Sequence, residues 1–197
     1  MKKWTILAPL GLAAGAAALL LMKKKGAKAA PAAKAAETKK APPANWKTGS
    51  YSFISGYQNA ATVEMRLGYD GDKFRYAVVS EDFLSYSSDS HVALVQGEDF
   101  SLQLEYAAYF TGEDFAAHCA SLAEKHKSFA PVRYGSVDAV KYLEGDTLCF
   151  CVPIPEDEHS YVQVLVFKDK GNDTPLPELA KDPDLSAMLE SIRFERH

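Results

Sequence analysis

The chain has 197 residues, 47% hydrophobic and 24% charged, enough for one domain with a substantial core. Its net charge of −4 hides a split. Residues 1–44 carry nine lysines and one acid (+8), whereas 45–197 hold 13 basic and 25 acidic residues (−12). So acidic a domain is repelled by phosphate backbones, which excludes nucleic acid as a partner.

From Trp4 to Met22 run 19 residues without a charge. At ~1.5 Å per helical residue this length crosses a bilayer core. Lys23, Lys24 and Lys25 come directly after it, which suits a stop at the headgroups better than the small-residue cleavage site of a secretory signal. Residues 1–22 therefore read as an N-terminal membrane anchor, a transmembrane helix making the protein single-pass in the cell membrane. A cleaved signal peptide is the alternative. The lysines after the run pull the C-terminal side toward the cytoplasm, whereas short-tailed anchors usually export the chain beyond them, so the side stays open. Residues 23–46 are rich in Lys, Ala and Pro and bury too little to offset the entropy of ordering, which makes them a disordered linker. Membrane lipid is the expected partner of 4–22 and of the lysine-rich flank, each lysine near an anionic surface contributing on the order of 1 kcal/mol.

Residues 47–197 read as the globular domain. Val63, Met65, Leu67 and Tyr69 alternate with polar positions, and after Asp70-Gly71-Asp72 the alternation resumes at Phe74, Tyr76 and Val78. Asp-Gly between alternating runs predicts a hairpin. The run 91–95 and the set Phe100, Leu102, Leu104, Tyr106 predict a second hairpin, with Gly97 in its turn. The sequence Gly-Glu-Asp-Phe stands at 97–100 and again at 112–115, and Ser-Glu-Asp-Phe at 80–83. The second copy is a helix start over 112–127, because Phe115, Cys119, Leu122 and His126 recur at helical spacing. Thr111 and Asp114 there approximate a capping box. Turn, helix start and loop are different local jobs, so the copies are coincidence and not a duplication.

Beyond the helix, Leu148, Phe150, Val152 and Ile154 lie on one face of a strand, with Thr147, Cys149 and Cys151 on the other. Both faces are apolar or small, which predicts a covered central strand with 161–168 beside it. Pro183-Asp184 opens a short helix through Leu185, Met188 and Leu189, and a last strand closes the chain. The fold class read from this order is α+β, an antiparallel β-sheet with helices packed on it.

The densest set of ligand-type residues is Glu156, Asp157, Glu158 and His159. A metal site needs ligands converging on one point, which four consecutive turn residues do not achieve alone, so a solvated acidic turn is the reading. His118 and Cys119 invite a base and nucleophile, but neighbours on a helix point ~100° apart, and Cys119 falls on the apolar stripe with His126. Cys149 and Cys151 read as small hydrophobes on a strand rather than a redox or soft-metal pair. Their parallel side chains, ~6.6 Å apart, would strain a disulfide. No catalytic, cofactor-binding or metal residue is assigned. Tyr51, Tyr57, Tyr86, Tyr106, Tyr109 and Tyr134 suit a binding groove or an ordinary sheet face.

The segments 74–83, 100–106, 112–125 and 134–143, the two covered strands, and the ending Asp184 to Glu195 with its Leu-x-Ser-Ile-Arg-Phe pattern together resemble the PsbP-like superfamily over residues 70–196. That resemblance implies an α/β/α sandwich and a binding role rather than catalysis, and carries over no site residue. The expected function is a membrane-tethered, non-enzymatic domain binding an unknown protein or small molecule, the globular part monomeric. The alternative is a hydrolase-type or metal-dependent enzyme with its site near the acidic turn 156–159.

Overall fold

Alternating strands turn one set of side chains inward and leave the question of partners to the chain's corners. In the computed structural model, which describes residues 43–55, 61–79, 92–108 and 113–197, those corners produce two antiparallel sheets. The small sheet has the order β1 (Trp46–Ser55), β2 (Ala61–Asp70), β10 (Arg193–Arg196). The large one runs β3 (Arg75–Val79), β4 (Val92–Gln96), β5 (Phe100–Ala108), β9 (Ser160–Lys168), β8 (Thr147–Pro153), β7 (Val137–Glu144), β6 (Ala130–Tyr134). Helix α1 (Phe115–Lys125) comes after β5, and α2 (Leu176–Leu179) and α3 (Pro183–Glu190) precede β10.

This overturns the expected single sheet in an α/β/α sandwich. Among the described residues the strands divide between two sheets, and the three helices have only 11, 4 and 8 residues. No helix among the described residues is long and apolar enough to cross a membrane. The run 4–22 and the flank to residue 42 lie outside the described residues.

The Asp-Gly signal at 70–71 was the misleading feature. β2 and β3 do not pair; β2 pairs with β1 and β10, and β3 with β4. Between them Asp70 accepts from Lys73 N (3.1 Å) and Phe74 N (2.9 Å), and its side chain accepts from Asp72 N (3.0 Å). Gly71 N bonds to Asn45 O instead of closing a two-residue turn. The result is a corner that carries the chain from one sheet to the other. The hairpin at Gly97 does form, with Gln96 opposite Ser101. Gly97 is needed there for close approach, since a Cβ would collide with the Phe74 ring.

Two cores result. Between the sheets, Leu102, Leu104, Phe150, Val164 and Val166 of the large sheet share a cluster with Val63, Met65 and Leu67 of β2 and with Leu185, Met188 and Leu189 of α3. Across the large sheet, Cys119 and Leu122 of α1 cluster with Val140, Tyr142, Cys149, Cys151 and Tyr161. Residues 148–152 of β8 are buried on both faces, as a strand between two cores must be. Each fully buried Leu, Val or Phe side chain contributes about 1.5–3 kcal/mol.

Helix α1 begins at Phe115, not 112. Asp114 is its N-cap, the carboxylate accepting from Ala117 N at 2.7 Å. Thr111, the expected capping partner, lies outside the described residues. Asp182 caps α3, accepting from Asp184 N (2.8 Å) and Leu185 N (3.1 Å).

Candidate functional site

Inward positions on β1 are Gly49, Tyr51, Phe53 and Ser55, all buried. Tyr51 lies 5.3 Å, centroid to centroid, from Phe53, and Phe53 stacks on Tyr106 at 4.6 Å. On the facing edge Tyr76 of β3 stacks on Tyr69 at 6.0 Å and lies over Gly49, where a Cβ would collide with its ring. Glycine at an inward strand position thus admits an aromatic ring from the other sheet.

The hydroxyls in this aromatic layer fare differently. Tyr106 OH shares a hydrogen bond with Ser160 Oγ (3.1 Å), and Tyr134 OH donates to Ala180 O (3.5 Å). Tyr51 OH and Tyr76 OH are buried and have no hydrogen-bond partner among the described residues. An unsatisfied buried hydroxyl costs about 1–3 kcal/mol. In a domain stable by about 5–15 kcal/mol, two hydroxyls left so would be a conspicuous expense. Burial, and then the nearby Tyr76 and Glu105, push the Tyr51 phenol far up; burial and then Tyr69 push Tyr76 to about 12. Both are therefore neutral donor-acceptors at ordinary pH.

The acidic turn is more ordered than its composition suggests. Asp157 is 8% exposed and accepts from Ser55 Oγ, itself fully buried, and from His159 N (3.1 Å). His159 Nδ1 lies 3.0 Å from Glu113 O, and Phe115 N donates to Glu158 O (2.7 Å). The turn joins the end of β1 to the start of α1, with Glu156 at φ 65°. Glu156 and Glu158 are exposed and Asp157 is buried, and among the described residues the four do not form a group whose ligand atoms lie within 4.8 Å of one another. A cleft of about 370 Å³ lies beside them, lined by Asp114, Phe115, Ile154, Glu156, Asp157 and Glu158.

Among the described residues, the His, Cys, Asp and Glu atoms that converge belong elsewhere. Ligand atoms of Glu64, Glu195 and His197 lie within 4.8 Å of one another, Glu64 and Glu195 being directly opposed on β2 and β10. Arg66 already meets their demand for positive charge, at 3.1 Å from Glu64 and 2.9 Å from Glu195. Its hydrogen bond, then one from Ser50, holds the Glu64 carboxyl below the usual range. Sequence reading missed this cluster because its members are far apart in the chain.

The thiols are core groups. Cys119, Cys149 and Cys151 are free, buried and share one cluster. Burial pushes Cys119 and Cys149 up to about 11 and Cys151 higher, opposite to what a nucleophile or metal ligand requires. His118 stacks on Tyr161 at 5.1 Å, and burial, then Lys125, lower its pKa. His126 ends α1 and tilts against Tyr142 at 4.5 Å. Tyr57, Tyr86 and Tyr109 lie outside the described residues. Tyr76 was not among the tyrosines singled out by sequence; the available signal was Gly49, a lone glycine at an inward position. Comparison with family models, curated proteins and solved structures finds no match to this chain.

Proposed function

We propose that this protein is a membrane-tethered, non-enzymatic binding domain whose ligand contacts the inter-sheet aromatic layer at Tyr51 and Tyr76. The observation that carries this reading is the pair of buried hydroxyls without a partner among the described residues. Proteins pair nearly all such groups, and the exceptions point to strain, a functional role or a bound water or ion. Resemblance to the PsbP-like superfamily has the same implication of binding rather than catalysis. The tether is the uncharged run 4–22, and fractionation tests it directly: the full chain should resist a carbonate wash of membranes. Release of a soluble form beginning near residues 30–45 would instead mean cleavage.

Binding is tested by native mass spectrometry of the full-length protein taken from membranes in mild detergent. A non-covalently held small molecule is expected in the wild type and not in Tyr51→Phe/Tyr76→Phe. Equal retention by both proteins would remove the binding site from this layer. The enzyme reading has one observation in its favour, the cleft of about 370 Å³ beside the acidic turn. Separate alanine substitutions at Glu156, Asp157, Glu158 and His159 discriminate: loss of an activity without loss of fold would favour the enzyme.

A further inference from the structure

Among the described residues, an outer strand of each sheet lies beside the two unpartnered hydroxyls. β1 is the outer strand of the small sheet and β3 of the large one. Both leave the Asp70–Phe74 corner in the same direction: Trp46 pairs with Asp70 at the start of β1, and β3 starts just past Phe74. Gly49 therefore faces Tyr76, and the next inward positions are Tyr51 on β1 and Val78 on β3. Register places Val78 on the same sheet face as Tyr76, opposite Ala93, yet it is 44% exposed. The β1–β3 edge thus exposes an inward-facing side chain at Val78, while Tyr51, the next inward residue of β1, is only 4% exposed and its hydroxyl has no partner among the described residues.

The walls select the chemistry. Around the hydroxyls the inward residues are Gly49, Phe53, Val78, Ala93 and Val95, none of them charged. Glu105 is near enough to push the Tyr51 phenol up, but it alternates with Leu104 and Tyr106 and so stands on the other side of the large sheet, not among these walls. A charged guest would lie among apolar groups without a counter-ion, at a cost of several kcal/mol. A guest with no polar atom would leave both hydroxyls unsatisfied. A neutral ring carrying a hydrogen-bonding oxygen or nitrogen avoids both penalties and stacks on the aromatic walls.

Resting on the binding reading above, we infer that this site takes a neutral, ring-bearing small molecule. The guest enters between β1 and β3 at Val78, and its polar atom is held by Tyr51 and Tyr76. The test uses the full-length protein in nanodiscs, with empty nanodiscs as reference. Phenol, benzene, benzoate and benzylamine share one ring and differ in their polar group, and saturation-transfer NMR reads their affinities. Phenol should bind about tenfold more tightly than benzene, and Tyr51→Phe or Tyr76→Phe should each remove most of that advantage while leaving benzene unchanged. Val78→Trp, at an exposed position, should block all four.

Benzoate or benzylamine binding more tightly than phenol overturns the neutral class. Phenol and benzene binding alike, indifferent to the Phe variants but blocked by Val78→Trp, overturns the ligand class and leaves a binding site at this opening. Absence of binding by every probe, or binding that Val78→Trp does not touch, overturns both the inference and the reading it rests on.

Discussion

Replacing Tyr51 by Phe removes one oxygen and leaves the ring in place against Phe53. Among the described residues that oxygen has no partner to lose, so the variant sheds only the desolvation of a buried hydroxyl. This predicts stabilisation by about 1–3 kcal/mol. Taking ~1.5 kcal/mol, and roughly 2–4 °C per kcal/mol for a domain of this size, Tm should rise by about 3–6 °C. The assay is thermal unfolding by circular dichroism at pH 7 of the full chain after it has been unfolded and refolded without ligand, so that no retained guest occupies the hydroxyl. Tyr106→Phe is the control, because Tyr106 OH is bonded to Ser160 and its removal should cost about 1 kcal/mol. A Tyr51→Phe protein that melts below wild type, as Tyr106→Phe should, would refute the reasoning by showing that the hydroxyl is bonded in solution.

Other consequences are as direct. Asp114→Ala should cost about 1 kcal/mol in urea unfolding, by removing the α1 cap, and Asp114→Asn only a few tenths, since Asn also caps; equal costs would deny the cap. Burial raises the phenols of Tyr51, Tyr76, Tyr134 and Tyr142, so the folded state keeps protons that the unfolded chain releases. Stability should therefore be intact below about pH 10 and fall as pH climbs from there through the folded values. Phenolate absorbance should show these tyrosines ionising only with unfolding, and reversible ionisation of all ten near pH 10 in the folded protein would contradict their burial. Gly49→Ala drives a methyl into the Tyr76 ring and should cost about 1–3 kcal/mol in the same unfolding assay, a neutral result placing that ring elsewhere. The three buried thiols should resist a thiol-specific reagent until denaturant unfolds the domain, and rapid native labelling would show them accessible.

Local periodicity determined a good deal here. Alternation marked Val63, Met65 and Leu67 as inward-facing, and apolar residues on both faces marked 148–152 as a covered strand paired with the run beyond it. The 115–122 spacing marked a helix, and the contrast between the hairpin turn at Gly97 and a helix start near the second copy came from residues within four positions, although the cap proved to be Asp114 and the start Phe115. Such features depend on neighbouring residues, whose geometry the backbone period dictates.

The tertiary structure alone decided partnership. Asp70-Gly71 read as a hairpin because turn chemistry is local. Whether β2 and β3 pair depends on β1 and β10, one earlier in the chain and one at its far end, which occupy both edges of β2. The same limit hid the sites. Asp157 looked solvated in an acidic run until Ser55, 102 positions away, reached it, and Glu64 met Glu195 only across a strand pair. That Tyr51 and Tyr76 lack partners among the described residues is legible in no window of sequence, because a hydrogen bond is satisfied or missed according to everything that packs around it in space.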